Sequence, residues 1–305
     1  MDQPDGAVPA THAASSSPSQ PGSGVSSGEP STGGPSNLLV RLLTAFILGP
    51  LVLVLLFFGP AWGWALFIAL SAGQVAYEML SMTHPKDAVS RVIGALMAVM
   101  MAGATYSAAG DFRIFITALL VSLTLGAMLP LFRLGEISSA APRILGGISA
   151  PLYVGVLLSC LTLLRRDPGE LGSRYVLFAL FIAWMGDTGG YTAGRLFGRT
   201  KLYEAVSPKK TREGLAGSVF FSALVSVVGS FTYISQIPPL HAALLGALGA
   251  LLGQMGDLVE SLLKRSTGVK DSGSILPGHG GLFDRVDALL IVGPLVYLYF
   301  LWAGA

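Results

Sequence analysis

The chain has 305 residues, of which 52% are hydrophobic and only 12% charged, and its formal net charge is +2. With a mean hydropathy of +0.66, it carries too few charges to solvate the surface of a water-soluble helical protein. The small net charge leaves no footprint for nucleic acid, and the single cysteine, Cys160, excludes an intramolecular disulfide and a cysteine metal site.

Residues 1–36 are rich in Ser, Gly and Pro and hold no Lys or Arg. Such a segment buries too little to offset the entropy of ordering, which predicts a disordered cytoplasmic tail. It lacks the cationic start of a secretory signal, so the first apolar run reads as a retained signal-anchor. Residues 37–305 read as one integral-membrane domain. Apolar runs near bilayer thickness recur at 38–59, 61–81, 92–109, 112–131, 144–164, 175–196, 215–234, 240–263 and 286–302. The expected fold is an all-α polytopic membrane protein with about nine transmembrane helices, in which Gly59-Pro60 is a turn or a kink. With the N-terminus inside, 15 of the 19 Lys and Arg fall on inner segments. The positive-inside rule then places the N-terminus and the loops 195–214 and 264–285 in the cytoplasm.

Ionisable groups within apolar spans are costly and usually functional. Asp187 lies near the inner end of the sixth run, beside glycines 186, 190, 194 and 198. Those glycines suit a helix-packing seam, but a seam needs no carboxylate. The loop that follows reads Ser207-Pro208-Lys209-Lys210-Thr211-Arg212-Glu213-Gly214, two lysines with flanking hydroxyls that suit a polyphosphate. In the eighth run, Asp257, Glu260, Ser261 and Lys264 share one helical face, with Glu260 and Lys264 spaced for an ion pair. Beyond it, the stretch 261–287 gathers Lys264, Arg265, Lys270, Asp271, His279, Asp284, Arg285 and Asp287 around glycines 278, 280 and 281. Its four cations suit phosphate oxygens, and its carboxylates suit a hard metal ion. Asp284 and Asp287, three apart where the ninth run begins, read as holders of a divalent ion. Glu78, after Gln74 in the second run, has no partner nearby in sequence and reads as structural. No P-loop, H-E-x-x-H or G-x-S-x-G pattern is present, nor the aspartate-rich motif of CDP-alcohol phosphotransferases.

The stretch from Ser261 to Asp287 resembles the signature of the phosphatidate cytidylyltransferases (CDP-diacylglycerol synthases). It does so at Ser261, Lys264-Arg265, Lys270-Asp271, Gly273, Pro277, His279-Gly280-Gly281, Asp284-Arg285 and Asp287. Upstream, 186–198 is similar to the family's Asp-Thr-Gly-Ala-Tyr block, and 207–214 to its Ser-Pro-Lys-Lys-Thr-Trp-Glu-Gly block. Gly190 stands where Ala is usual, and Arg212 where Trp is usual. The resemblance implies transfer of CMP from CTP to phosphatidate with Mg2+, releasing pyrophosphate, by a multi-pass homodimer of the cell membrane surrounded by lipid. It implies a metal site of Asp257, Asp284 and Asp287, with Asp187 and Asp271 as possible further members. Lys264, Arg265, Lys270, Asp271, His279 and Arg285 complete the catalytic set, and Asp187, Ser207, Lys209, Lys210 and Thr211 the nucleotide site. A phosphomonoester with a second pKa of roughly 6 is already largely dianionic at neutral pH, so it attacks without a strong base. Two rivals remain. A cation-coupled transporter using Asp187, Asp257 and Glu260 leaves the cationic loop unexplained. A CTP-dependent lipid kinase would transfer the γ-phosphate instead.

Overall fold

In a computed structural model, residues 35–108, 111–133, 135–275 and 280–303 are described, with side chains from residue 46. All but the end of the predicted tail, and His279 with it, lie outside these residues. The first two helices are α1, Pro35–Phe58, and α2, Ala61–Thr83. Gly59-Pro60 between them is a turn: Pro60, in extended conformation, caps α2. Next come α3, Ala88–Ser107, and α4, Phe112–Phe132.

The fifth predicted run is not one helix. It divides into α5, Ala140–Ala150, a π-helical segment Pro151–Val156, and α6, Leu157–Arg166. Pro151 lacks the N–H that a continuous α-helix needs and crowds the preceding turn, which shifts the hydrogen-bond register. The remaining helices are α7, Gly172–Phe197; α8, Arg212–Thr232; α9, Pro239–Ser266; the short α10, Phe283–Val286; and α11, Leu289–Ala303. The predicted loop 195–214 holds an antiparallel ribbon of β1, Lys201–Tyr203, and β2, Ser207–Thr211.

The protein is therefore an all-α polytopic membrane protein. Among the described residues, seven helical segments are long and apolar enough to cross a bilayer, so the count of nine is not confirmed. The helix α7 is not one of the seven; it carries Arg174, Asp187 and Arg195. Large apolar side chains such as Phe58, Phe132 and Phe231 point outward, as a lipid-facing surface requires. Trp64, Tyr175 and Phe178 fill the interior, and the Trp64 indole donates to the Leu161 carbonyl at 3.1 Å.

The glycine seam packs α7 against α8. A Cβ on Gly189 would sit 2.7 Å from the Gly217 carbonyl oxygen, so only glycine permits this approach. At the turn after α2, the Asp87 side chain caps α3 by accepting from the Ser90 backbone N–H. It also pairs with Arg133 at 2.8 Å and Arg143 at 2.9 Å, joining the ends of three helices. Burial alone would raise the Asp87 carboxyl. Hydrogen bonds from Ser90 and Arg133 outweigh burial and hold it down to about 2.

Candidate active site

The site begins with the polar face of α9. The Ser261 hydroxyl donates to Asp257 at 3.2 Å, and the Lys264 ammonium pairs with Glu260 at 3.0 Å, the helical spacing expected from the sequence. Lys264 also reaches Asp284 on α10 at 2.6 Å. From β2, Lys210 pairs with Asp257 at 2.7 Å and approaches the Gln254 carbonyl at 3.5 Å. Gln254 in turn donates to Asp187 of α7 at 3.4 Å. Two lysines thus fasten the ribbon and α10 to α9. Asp187, Asp257 and Asp287 stand close enough to act on one another electrostatically, and Arg285 acts on Asp187.

The glycine-rich turn is built around Asp284 and one unexpected residue. Asp284 Oδ2 accepts from the Ser272 backbone at 3.1 Å, the Ser272 hydroxyl at 2.8 Å and the Gly281 backbone at 3.0 Å. Glu78, buried in α2, accepts from four donors. Its Oε1 takes Gln74 at 2.9 Å and the Leu282 N–H at 3.0 Å; its Oε2 takes the Ser272 hydroxyl at 3.0 Å and the Phe283 N–H at 2.9 Å. This packing explains the paired glycines. A Cβ on Gly281 would lie 1.9 Å from the Ser272 hydroxyl, and Gly280 adopts φ +81°. Glu78 does have a partner nearby in sequence, Gln74 four residues before it, whereas its other three donors lie up to 205 residues away and leave no trace in the local pattern. The local signals are a glutamate in an apolar run and a glutamine one helical turn before it.

Other predicted residues stand apart from this network. Arg265, Lys270 and Asp271 are exposed, and Arg265 donates to the Val269 carbonyl at 3.4 Å. Lys209 is exposed on β2, whereas Ser207 is partly buried. The Thr211 hydroxyl caps α8 by accepting from Gly214 at 3.1 Å. Glu213 accepts from the Arg199 and Thr200 backbones at 3.1 and 3.2 Å and so anchors the ribbon to the end of α7.

The donor chemistry suits a divalent cation. Asp187, Asp257, Glu260, Asp284 and Asp287 face Lys210, Lys264 and Arg285, five potential anions against three cations. Fully ionised, the cluster has an excess of two negative charges, costly next to apolar surroundings unless a cation joins it. Among the described residues, no three His, Cys, Asp or Glu side chains gather tightly enough to ligate one ion as they stand.

Comparison with known proteins extends this picture. The profile of the cytidylyltransferase family matches residues 39–303. A phosphatidate cytidylyltransferase of Bacillus subtilis (strain 168) is 39% identical over 154 residues, which cover 50% of this chain and 56% of that protein. One of Staphylococcus haemolyticus is 42% identical over 144 residues, 47% of this chain and 54% of the relative. One of Staphylococcus epidermidis is 47% identical over 125 residues, 41% and 48%. The chain spans about half the length of the curated relatives it matches.

Proposed function

Because the chain belongs to the cytidylyltransferase family, we propose that it transfers CMP from CTP to phosphatidate, giving CDP-diacylglycerol and pyrophosphate. A phosphate oxygen of phosphatidate forms a bond to the α-phosphorus of CTP. The bond from that phosphorus to the β-phosphate bridging oxygen breaks, and pyrophosphate leaves with the electron pair. Lys210, Lys264 and Arg285 supply positive charge for the phosphates. Lys264 is held by Glu260 and Asp284, and Lys210 by Asp257, so both enter the reaction with their positions set. Asp257, Asp284 and Asp287 would hold Mg2+, with Asp187 beside them. When bound, Mg2+ neutralises charge on the triphosphate. We further infer that the site faces the cytoplasm, where CTP is dissolved, and that the protein acts as a homodimer.

The carrying observation is the pair of lysine bridges, which gather the β-ribbon, α9 and α10 into one cationic and acidic cluster beside apolar helices. The test supplies CTP labelled in the α- or the γ-phosphate to the purified chain with phosphatidate and Mg2+. Label is expected in the lipid product from the α-position only. Lipid labelled from the γ-position would establish a kinase and reject the proposal.

A further inference from the structure

Glu78 is 3% exposed and has no ion-pair partner among the described residues. Its four donors come from three places in the chain: Gln74 of its own helix, Ser272, and the adjoining N–H groups of Leu282 and Phe283. Ser272 and Leu282 bound the glycine-containing segment 273–281. One carboxylate on α2 therefore ties both ends of that segment to the same point. Ser272 is also the link onward. Its single hydroxyl proton faces Glu78 Oε2 at 3.0 Å and Asp284 Oδ2 at 2.8 Å, while its backbone N–H binds Asp284 at 3.1 Å. A buried carboxylate held only by neutral donors is an expensive way to brace a turn, and its oxygens point at the residues that aim Asp284.

We propose that Glu78 is a positioning residue for the transfer reaction: it fixes Ser272 and the first turn of α10, and through them the orientation of Asp284. The tie itself stands on the geometry; its catalytic consequence rests on the proposed function. Glutamine is the discriminating replacement. Each Glu78 oxygen accepts a backbone N–H, so either orientation of a glutamine amide sets NH2 against an N–H donor. Gln74→Ala removes only the donor within α2 and serves as the control.

The experiment uses the full chain in lipid nanodiscs and reads hydrogen exchange and steady-state kinetics together. Glu78→Gln is expected to speed amide exchange over 281–286 by about tenfold or more while exchange in α7 and α8 holds. It is expected to lower kcat by about tenfold or more with the KM for CTP within about twofold. Ser272→Ala is expected to add less than about twofold to the kcat loss in the Glu78→Gln background, because both act through one path. Gln74→Ala is expected to stay within about twofold of wild type in kcat. Three results overturn the proposal: wild-type exchange over 281–286, faster exchange there with unchanged kcat, or faster exchange throughout the protein, which would make Glu78 a residue of global stability. Failure of the wild-type chain to form CDP-diacylglycerol would instead reject the proposed function, and the local exchange difference would still report on the tie.

Discussion

Lys209 and Lys210 are neighbours with opposite fates. Lys210 turns inward to Asp257 at 2.7 Å, whereas Lys209 stays exposed on the ribbon. Loss of one charged phosphate contact weakens binding by ~1.5–3 kcal/mol. Lys210→Ala is therefore expected to raise the KM for CTP by roughly tenfold or more, and Lys209→Ala by less than about twofold. Initial-rate measurements over CTP concentration separate the two, and the reverse order would show that the exposed lysine meets the nucleotide. Asp284→Asn is expected to leave less than ~1% of wild-type kcat, since an amide lacks the charge to hold a divalent ion. Glu260 still holds Lys264 in that variant, so folding in detergent, followed by thermal unfolding, is expected to persist. Full activity across a Mg2+ titration would remove Asp284 from the site. At this scale the sequence was most legible where residue type and spacing agree, as along Asp257, Glu260, Ser261 and Lys264. It was silent where a contact is distant: nothing near Glu78 announces Ser272 or Phe283. Thr211 illustrates a third case: its hydroxyl, read as a nucleotide contact, also accepts from Gly214 as the cap of α8, a role that the residue pattern alone does not announce.

Helices were predicted well because apolar length is a strong signal, and their interruptions less well because a break depends on one residue. Pro151 turned one run into two helices around a π segment, and the charges within α7 lowered its apolar character without ending the helix. The ribbon between α7 and α8 escaped notice since its strands are short and its residues polar. The junction of α3, α4 and α5 offers a test of element-level stability. The Asp87 carboxyl is depressed in the folded protein to about 2 against an ordinary 3.8. A depressed acid contributes stability above its unfolded value, and that contribution is lost as pH falls through the folded value. Thermal unfolding of wild type is thus expected to lose stability between pH ~4 and ~2 relative to Asp87→Asn, whose own stability is lower at pH 7. Parallel curves for the two proteins would show that Asp87 does not couple these helices to pH.

Across the whole molecule, Arg174 lies in the first turn of α7 and Lys201 just beyond its last turn, and the 26 residues of this helix extend about 39 Å and so exceed the bilayer core. In a Cys160→Ser background, Lys201→Cys and Lys270→Cys are expected to react with an impermeant thiol reagent from the cytoplasmic side, and Arg174→Cys from the opposite side. Labelling of all three from one face would overturn the topology and the source of CTP together. The tie at Glu78 also has a consequence for how the protein is made. Its partners at 272, 282 and 283 are synthesised about 200 residues after it. At ~5–20 residues per second, α2 waits roughly 10–40 s for them. During that interval a carboxylate that costs ~3 kcal/mol in an apolar span has Gln74 as its sole partner from the completed tie. The contact between α2 and the turn that leads into α10 therefore closes only after residues 272–283 have been synthesised.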